Sequence, residues 1–368
     1  MNAPRAASKA DPSDIRVINR LLMFDLLFPQ NRMSRAELGR QTGLSRVAAS
    51  EAASDMLDKA ILRESGTDER EGRGKRGRLL TIDPDVWRIV SIDLSQPYVM
   101  RGALVNLQGH IVHRMELPLE AANTVSLDDV IDTIRELIDR ASDHVLGIGI
   151  SIPGVVTTEG RVMLSANLGW KNLELRDLIE GEFGVHTRVC NDANTALLAE
   201  RFLGDGSPDS LFIQITSGIG AAVLVDDKIV YGIGHAAGEI GHVVVEPNGP
   251  ECPCGKRGCL ETLISAPVLH AKLINEPDQR QEILTHAGEL LGTALSMPTS
   301  LLDLSDVAIY GPADIVGETF LSAAEQTVNR LTSSQFHTPT RVRRCEQGDD
   351  IVLLGQAVAV MQARVGRL

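Results

Sequence analysis

The chain has 368 residues, of which 43% are hydrophobic and 3% aromatic, and its formal net charge at pH 7 is −13. This length suffices for two or three domains, and the apolar runs are too short for a membrane-spanning helix. Residues 1–86 carry 15 Lys and Arg against 13 Asp and Glu, whereas the remainder carries 21 against 36. This distribution predicts that only the first section contacts a polyanion, although so small a basic excess can also arise by chance.

Residues 1–12, MNAPRAASKADP, lack the apolar core of a signal peptide and are predicted to form a flexible tail. The chain has five cysteines, and three of them are clustered rather than spread as a disulfide framework. Without a secretion signal, this pattern predicts reduced thiols and a cytoplasmic protein.

Residues 13–86 are predicted to contain three helices. Apolar residues keep helical spacing from Asp14 onward. A second helix begins with a possible capping box at Ser34 and Glu37 and ends near Gly43, and Ser45 caps a third helix. Two short helices joined by a glycine-containing turn are typical of a helix-turn-helix motif.

A hairpin is predicted after the third helix, with strands at Leu62–Glu64 and Arg78–Ile82 and a long loop between them. A glycine- and arginine-rich loop suits contact with phosphates and the minor groove, while the third helix would enter the major groove. The predicted DNA-binding residues are Ser45, Arg46, Ala49 and Ser50 of the helix and Arg73, Lys75, Arg76 and Arg78 of the loop. The alternative is a helical dimerisation module with a solvated charged loop.

After Pro84, strand-like and helix-like segments alternate, which predicts an α/β fold with a partly parallel sheet. The predicted strands are Ile89–Leu94, Arg101–Asn106, Val145–Ser151, Arg188–Asn191, Ser210–Ile215, Ala221–Val225 and Asp306–Tyr310. The predicted helices are Leu127–Ala141, Leu173–Glu182 and Asn194–Phe202.

Four residues have the spacing of a closed metal site: His242, Cys252, Cys254 and Cys259. One imidazole and three thiolates form a soft tetrahedral donor set that suits Zn²⁺. Because all four positions are protein ligands, no position remains for a reactive water. The spacing therefore predicts a structural zinc, and the alternative is a group of free thiols.

Six stretches of the chain resemble the ROK family, which groups bacterial repressors with sugar kinases. They are GIGISIPGVV (147–156), NLGW (167–170), NDANTALLAE (191–200), ITSGIGAAVLVDDKIVYG (215–232), GEIGHVVVEP (238–247) and CPCGKRGCLE (252–261). The resemblance implies an α/β, actin-like (RNase H-like) pair of subdomains after an N-terminal winged helix-turn-helix at 13–86. The first subdomain would comprise 87–195 with the C-terminal segment 351–368, and the second, with the zinc loop, 196–350. The C-terminal helix, Ile351 to Arg364, would pack on the first subdomain.

The resemblance also implies a sugar site, since carboxylates, amides and imidazoles pair with sugar hydroxyls. The implied ligand-binding residues are Gly154, Asn191, Asp192, Glu239, His242 and Glu261. If one ring nitrogen of His242 binds zinc, the other can donate to a sugar hydroxyl. In the kinases of the family the residue matching Asp192 is the general base. For Asn191 and Asp192 alone, a helix cap is the alternative.

Three nucleotide-binding elements depart from the pattern of the family's kinases. There, an Asp-x-Gly-Gly-Thr hairpin lets backbone amides approach phosphate, but here Leu94-Ser95-Gln96-Pro97 follow Asp93. The second phosphate loop, Gly-Thr-Gly-Ile-Gly in the kinases, reads Thr216-Ser217-Gly218-Ile219-Gly220. The adenosine loop, which normally has consecutive glycines, reads Gly311-Pro312-Ala313.

The sequence therefore predicts a sugar-responsive transcription regulator, a repressor, that is not an enzyme and keeps Asp192 as a vestigial base. Its predicted partners are double-stranded operator DNA, a sugar or sugar phosphate, and further copies in a homodimer or a dimer of dimers, with no membrane contact. One alternative is an active ATP-dependent sugar kinase with a DNA-binding appendage. Another is a regulator that responds mainly to a protein partner.

Overall fold

The computed structural model describes residues 12–67, 77–141, 144–336 and 338–368. Contacts between residues group the chain into two compact units. Among the described residues, the first unit contains those up to Ile150 together with Arg176–Arg188 and Gln356–Leu368, and the second contains Ser151–Leu175 and Val189–Gly355. The domain boundaries placed after residues 86 and 195 remain predictions.

The first unit begins with three helices and a small sheet. The elements are α1 (Pro12–Leu27), β1 (Met33–Ser34), α2 (Arg35–Thr42), α3 (Arg46–Asp58), β2 (Leu62–Thr67) and β3 (Arg78–Ile82). The sheet order is β1-β3-β2, and both pairs are antiparallel. The Ser34 hydroxyl accepts the amide of Glu37 at 3.3 Å and the Ser45 hydroxyl accepts the amide of Ala48 at 3.2 Å, so both predicted N-caps form.

From Arg88 onward strands and helices alternate. The elements up to residue 203 are β4 (Arg88–Asp93), β5 (Val99–Asn106), β6 (Ile111–Pro118), α4 (Leu127–Arg140), β7 (Val145–Ile152), β8 (Val155–Val156), β9 (Val162–Ser165), β10 (Trp170–Leu173), α5 (Leu175–Phe183), β11 (Thr187–Asn191) and α6 (Asp192–Leu203). A five-stranded sheet has the order β11-β7-β4-β5-β6, and a three-stranded sheet has the order β10-β9-β8.

The second unit is built on another five-stranded sheet. The remaining elements are β12 (Ser210–Ile215), β13 (Ile219–Val225), β14 (Lys228–Ile229), a 3-10 helix (Ile240–His242), α7 (Glu261–Ile264), α8 (Ala266–Asn275), a 3-10 helix (Pro277–Gln279), α9 (Arg280–Leu302), β15 (Asp306–Tyr310), α10 (Glu318–Thr332), β16 (Arg341–Arg344), α11 (Ile351–Arg364) and a 3-10 helix (Val365–Arg367). The order is β14-β13-β12-β15-β16. Because β12 pairs antiparallel with β13 and parallel with β15, the sheet is partly parallel, as predicted.

Strand β12 separates two apolar clusters. Leu211 and Ile213 belong to a large core with residues of α9 and α10, whereas Phe212 packs with Ala193 and other residues of α6. This alternation is the period of two that places successive side chains on opposite faces of a strand. No helix in the described ranges has the length and apolar character needed to cross a bilayer.

Arg343 on β16 lies buried between two carboxylates. Its Nε and Nη2 each donate to Asp306 at 2.9 Å, and its Nη1 donates to Glu200 of α6. Burial alone would lower the pKa of Arg343, but these hydrogen bonds outweigh it and raise the pKa. The ion pairs therefore fix α6 on the sheet, and the single guanidinium charge compensates part of the charge of the two buried carboxylates.

Candidate metal centre and ligand site

The four predicted metal ligands come together in the second unit. Nδ1 of His242 lies 3.5 Å from Sγ of Cys252, and the Sγ atoms of Cys254 and Cys259 lie 3.6 Å apart. All four ligand atoms lie within 4.8 Å of one another. A tetrahedral zinc with bonds of about 2.3 Å would hold its sulfur ligands about 3.8 Å apart. The cluster therefore has the size and the donor chemistry for a metal ion.

A tight turn positions the cysteines. The amide of Cys252 donates to the carbonyl of Lys256 at 2.8 Å, and the amide of Gly255 donates to the carbonyl of Cys252 at 2.9 Å. Gly255 has a φ of +88°, which glycine adopts more readily than other residues. Burial raises the pKa of the Cys259 thiol to about 11. Since metal ligation requires the thiolate, a bound cation would supply the charge that stabilises it.

His242 turns one ring nitrogen to the cysteines and the other to a carboxylate. Its Nε2 lies 3.9 Å from Oε2 of Glu239, whose side chain is 59% exposed. The 3-10 helix Ile240–His242 holds both residues within one turn. A metal on Nδ1 would place the ring proton on Nε2, and the exposed Glu239 carboxylate offers hydrogen-bond acceptors beside it.

Glu261, the first residue of α7, reaches back to the loop between β12 and β13. Its Oε2 accepts the amide hydrogen of Ile219 at 3.0 Å. A Cβ built on Gly218 would lie 2.5 Å from the same oxygen, well inside van der Waals contact. Gly218 therefore leaves the room that this carboxylate occupies.

The start of α6 holds three of the predicted ligand residues together. Oδ1 of Asn191 accepts the amide of Asn194 at 3.1 Å, so Asn191 is the N-cap of α6. Its Nδ2 donates to the carbonyl of Gly154 at 2.9 Å and to Oδ1 of Asp192 at 3.0 Å. Gly154 has a φ of +141°, and a Cβ there would lie 2.4 Å from the carbonyl oxygen of Leu164. The cap and the grouping with Asp192 and Gly154 thus coexist.

One neighbour of Asp192 is absent from the predicted set. Gln214 on β12 donates from Nε2 to Oδ2 of Asp192 at 3.2 Å and is only 6% exposed. No local spacing joins two residues so far apart in the chain. The one available signal is a glutamine inside the otherwise apolar run Leu211–Ile215, which requires a buried partner.

Polar backbone groups in the three altered nucleotide loops have partners within the chain. The amide of Ser95 donates to Oδ1 of Asp93 at 2.8 Å. In the second loop an amide is held by Glu261 at 3.0 Å. In the third, the guanidinium of Arg344 donates to the carbonyl of Gly311 at 2.9 Å. Each of the two amides would have to exchange its acceptor before it donated to a phosphate.

The predicted base-reading residues of α3 are Ser45, Arg46, Ala49 and Ser50, and three of them are at least partly exposed. Ala49 is 1% exposed because it packs against α2 at Gly39. A Cβ built on Gly39 would lie 3.4 Å from the Cβ of Ala49. Ala49 is therefore unavailable to a base. Val47, at 66% exposure, is the outward side chain in its place.

The basic loop of the predicted hairpin is described only at its end. Arg78 is exposed, and its guanidinium pairs with Glu64 on the neighbouring strand. Arg73, Lys75 and Arg76 lie outside the described residues, so their assignment to DNA stays a prediction.

Two five-stranded sheets with helices between their strands, together with a cluster of one histidine and three cysteines that could hold a metal, place the chain in the class of α/β proteins with the sugar-kinase fold. The chain belongs to the ROK family, whose family profile matches residues 90–363. The family resemblance and the α/β fold expected from the sequence are therefore confirmed.

The relatives include regulators and enzymes. A xylose repressor of Caldicellulosiruptor bescii is 25% identical over an alignment of 385 positions, gaps included, that covers 93% of this chain and 94% of the relative. A glucokinase of Halalkalibacterium halodurans is 27% identical over 318 residues, which cover 76% of this chain and 96% of the relative. The repressor thus also matches the region before residue 90, where the helices α1 to α3 lie.

Solved structures show the same two levels of similarity. A ROK family transcriptional regulator, described as a homologue of the Escherichia coli MLC protein, superposes with a TM-score of 0.80 at 22% identity, covering 96% of this chain and 97% of that chain. A ROK family glucokinase from Streptomyces griseus, in complex with glucose and AMPPNP, gives 0.61 at 22% identity, covering 73% and 98%. At these identities the comparisons establish the fold.

Proposed function

We propose that this chain is a sugar-responsive transcription regulator, a repressor that binds operator DNA through its N-terminal helices. One observation carries the proposal. One backbone group in each nucleotide loop is engaged within the chain. In contrast, Glu239, His242 and Glu261 lie at or next to the metal cluster in the sequence, and Asp192 keeps its carboxylate at the start of α6. Phosphoryl transfer depends on positioning and charge stabilisation of the phosphates, which such loops do not provide.

The metal in this proposal is Zn²⁺ with a structural role. His242, Cys252, Cys254 and Cys259 would hold it, and the ion would supply the charge that keeps three thiolates together. With its Nδ1 bound to the metal, the His242 ring would be fixed in position, so that its Nε2 faces a ligand hydroxyl beside Glu239. Loss of the metal would loosen this site rather than remove a chemical step.

DNA recognition is assigned to the start of α3 and to the basic hairpin loop. Ser45, Arg46, Val47 and Ser50 would lie along the major groove, and Arg73, Lys75, Arg76 and Arg78 would contact phosphates. Helix-turn-helix proteins bind two-fold operators as dimers, and we assign this chain a homodimer or a dimer of dimers in the cytoplasm. A sugar changes DNA affinity only by binding the DNA-competent and DNA-incompetent states unequally.

The test begins with selection of bound fragments from the host genome by the purified chain. Fluorescence anisotropy then measures affinity for a selected fragment with and without D-xylose, D-glucose and N-acetyl-D-glucosamine. We expect at least one sugar to change the dissociation constant about tenfold or more, and we expect Arg46→Ala to weaken binding. No selected sequence, or affinity indifferent to every sugar, would contradict the proposal.

A second candidate function is an ATP-dependent sugar kinase. Asp192, which matches the general base of the family's kinases, accepts a hydrogen bond from Gln214. The alignment with the glucokinase relative also covers 96% of that enzyme's length. ADP release coupled to NADH oxidation, measured with the same sugars and ATP, tests it. Turnover that Asp192→Asn abolishes would establish the kinase and contradict the non-enzymatic assignment.

A further inference from the structure

Strand β12 presents a buried glutamine side chain on the face that packs against α6. Phe212 packs with Ala193 of α6, and Gln214, two residues further along, lies on the same face of the strand. Gln214 is 6% exposed, with Gly220 and Tyr310 opposite it on the neighbouring strands. A buried amide in such surroundings is expected to use both its donor and its acceptor.

Only the donor end of this amide is used. Nε2 of Gln214 donates to Oδ2 of Asp192 at 3.2 Å, while Oε1 is buried and accepts no hydrogen bond from any residue that the structure describes. The reverse orientation would set Oε1 against the carboxylate, so electrostatics favours the observed one. Oδ1 of Asp192 accepts from Asn191 at 3.0 Å. Two amide donors thus hold the carboxylate, and an unused oxygen lies next to it.

We propose that Gln214 is a further residue of the ligand site, which positions Asp192 through Nε2 and accepts a ligand hydroxyl through Oε1. The inference rests on the proposed function, because it takes a polyhydroxyl ligand at Asp192. A carboxylate and an amide oxygen are both acceptors, so the ligand group that meets them must donate. A free hydroxyl donates, whereas a phosphate ester brings further acceptors and negative charge. The pair therefore selects a free sugar over its phosphate ester.

A second carboxylate at the same hairpin supports this selectivity. Gln214 pairs across the sheet with Gly220, the neighbour of Ile219, and the Ile219 amide is held by Glu261 at 3.0 Å. Asp192 and Glu261 therefore both bind to the β12–β13 hairpin near its turn. A phosphate dianion placed there would face two carboxylates, which repel it.

The experiment is isothermal titration of the full chain with D-xylose, D-glucose, N-acetyl-D-glucosamine and the 6-phosphates of the two hexoses. We expect the wild type to bind a free sugar at least about tenfold more tightly than any phosphate. Gln214→Leu should lower the affinity for that sugar about tenfold, because one hydrogen bond to the ligand is lost. In a cycle with Asp192→Asn, the two losses should be less than additive, because Gln214 contacts the ligand through Oε1 and also positions Asp192 through Nε2.

Gln347→Leu is the matched control, since its Nε2 donates to the carbonyl of Leu203 at 2.8 Å, at the other end of α6. It should bind sugar as the wild type does. Gln214→Glu keeps the shape and an acceptor but replaces the donor with oxygen, so it tests the inference even if Gln214→Leu does not fold. We expect it to weaken binding at least as much as the leucine variant.

Tighter binding of a phosphate, wild-type affinity in Gln214→Leu or Gln214→Glu, or additive losses in the cycle would each overturn the inference while sugar binding itself stands. A wild-type chain that binds none of the five probes would overturn both this inference and the sugar response in the proposed function. Thermal unfolding without sugar, compared across the variants, identifies any that lose the fold.

Discussion

Substitution of Gly218 by alanine should lower ligand affinity more than it lowers the free energy of unfolding. The added Cβ would lie 2.5 Å from Oε2 of Glu261, and the other contact below 4 Å is with the same carboxylate at 3.4 Å. The clash is therefore with the end of a flexible side chain rather than with backbone. We expect Glu261 to swing away and release the amide of Ile219, while the hairpin keeps its course.

The magnitude follows from the one hydrogen bond that is lost. A hydrogen bond to a charged group contributes about 1.5–3 kcal/mol, and about 1.4 kcal/mol corresponds to a factor of ten in affinity. Glu261 regains water after it moves, so the free energy of unfolding should fall by only about 1 kcal/mol. Ligand affinity should fall by about tenfold or more, because the Glu261 carboxylate leaves the position from which we propose that it contacts the ligand.

Titration calorimetry with the sugar that the wild type binds, together with urea unfolding, measures both quantities. Gly220→Ala is the control, because its Cβ would meet only the Cβ of Ala193, at an ordinary 3.7 Å. It should change neither affinity nor stability. Wild-type affinity in Gly218→Ala, or an equal loss in Gly220→Ala, would refute the role assigned to Glu261.

Three further outcomes are expected. Cys252→Ser removes a ligand of the metal cluster, so the zinc content of the purified protein and its sugar affinity should fall together; unchanged zinc content would contradict the cluster. Arg343→Met leaves two buried carboxylates unpaired and should lower the free energy of unfolding by about 3–5 kcal/mol in urea, whereas Arg341→Met breaks an exposed ion pair and should lower it by less than about 1 kcal/mol. Burial tends to raise the pKa of Asp55, but the hydrogen bonds and charges of Arg20 and Lys59 together outweigh this and the pKa is lowered. The stabilisation is therefore present at neutral pH and lost as the pH falls through the lowered pKa, and the difference between wild type and Asp55→Asn in urea should vanish in strong acid, not persist there.

Several elements were predictable because their signals are local. The observed bounds of β12 and β15 are those expected from the sequence, since each is an apolar run ended by polar or turn-forming residues, and the bounds of α11 are those that the family resemblance implied. Helix α6 begins two residues earlier than predicted, because Asn191 rather than a later residue provides the cap. The cluster of four candidate metal ligands was also predictable, since three of them fall within eight residues and define their own turn.

Contacts between distant segments were not accessible from spacing. Gln214 contacts Asp192 only because β12 and α6 lie against each other. Glu261 fills the space beside Gly218 only because α7, which follows the three clustered cysteines, begins next to the β12–β13 hairpin. The burial of Ala49 has a similar cause, since a helix pattern does not show which side α2 covers. Alternation within β12 indicates which residues share a face, but the partner of that face comes from the fold.

The contact between Glu261 and Ile219 joins a residue of the proposed ligand site to the second nucleotide loop. An amide that donates to a carboxylate at 3.0 Å cannot also donate to a phosphate oxygen, and the same bond fixes the carboxylate for a sugar hydroxyl. Before a phosphate could use that amide, Glu261 would have to release it, and the proposed ligand site would lose one of its fixed acceptors.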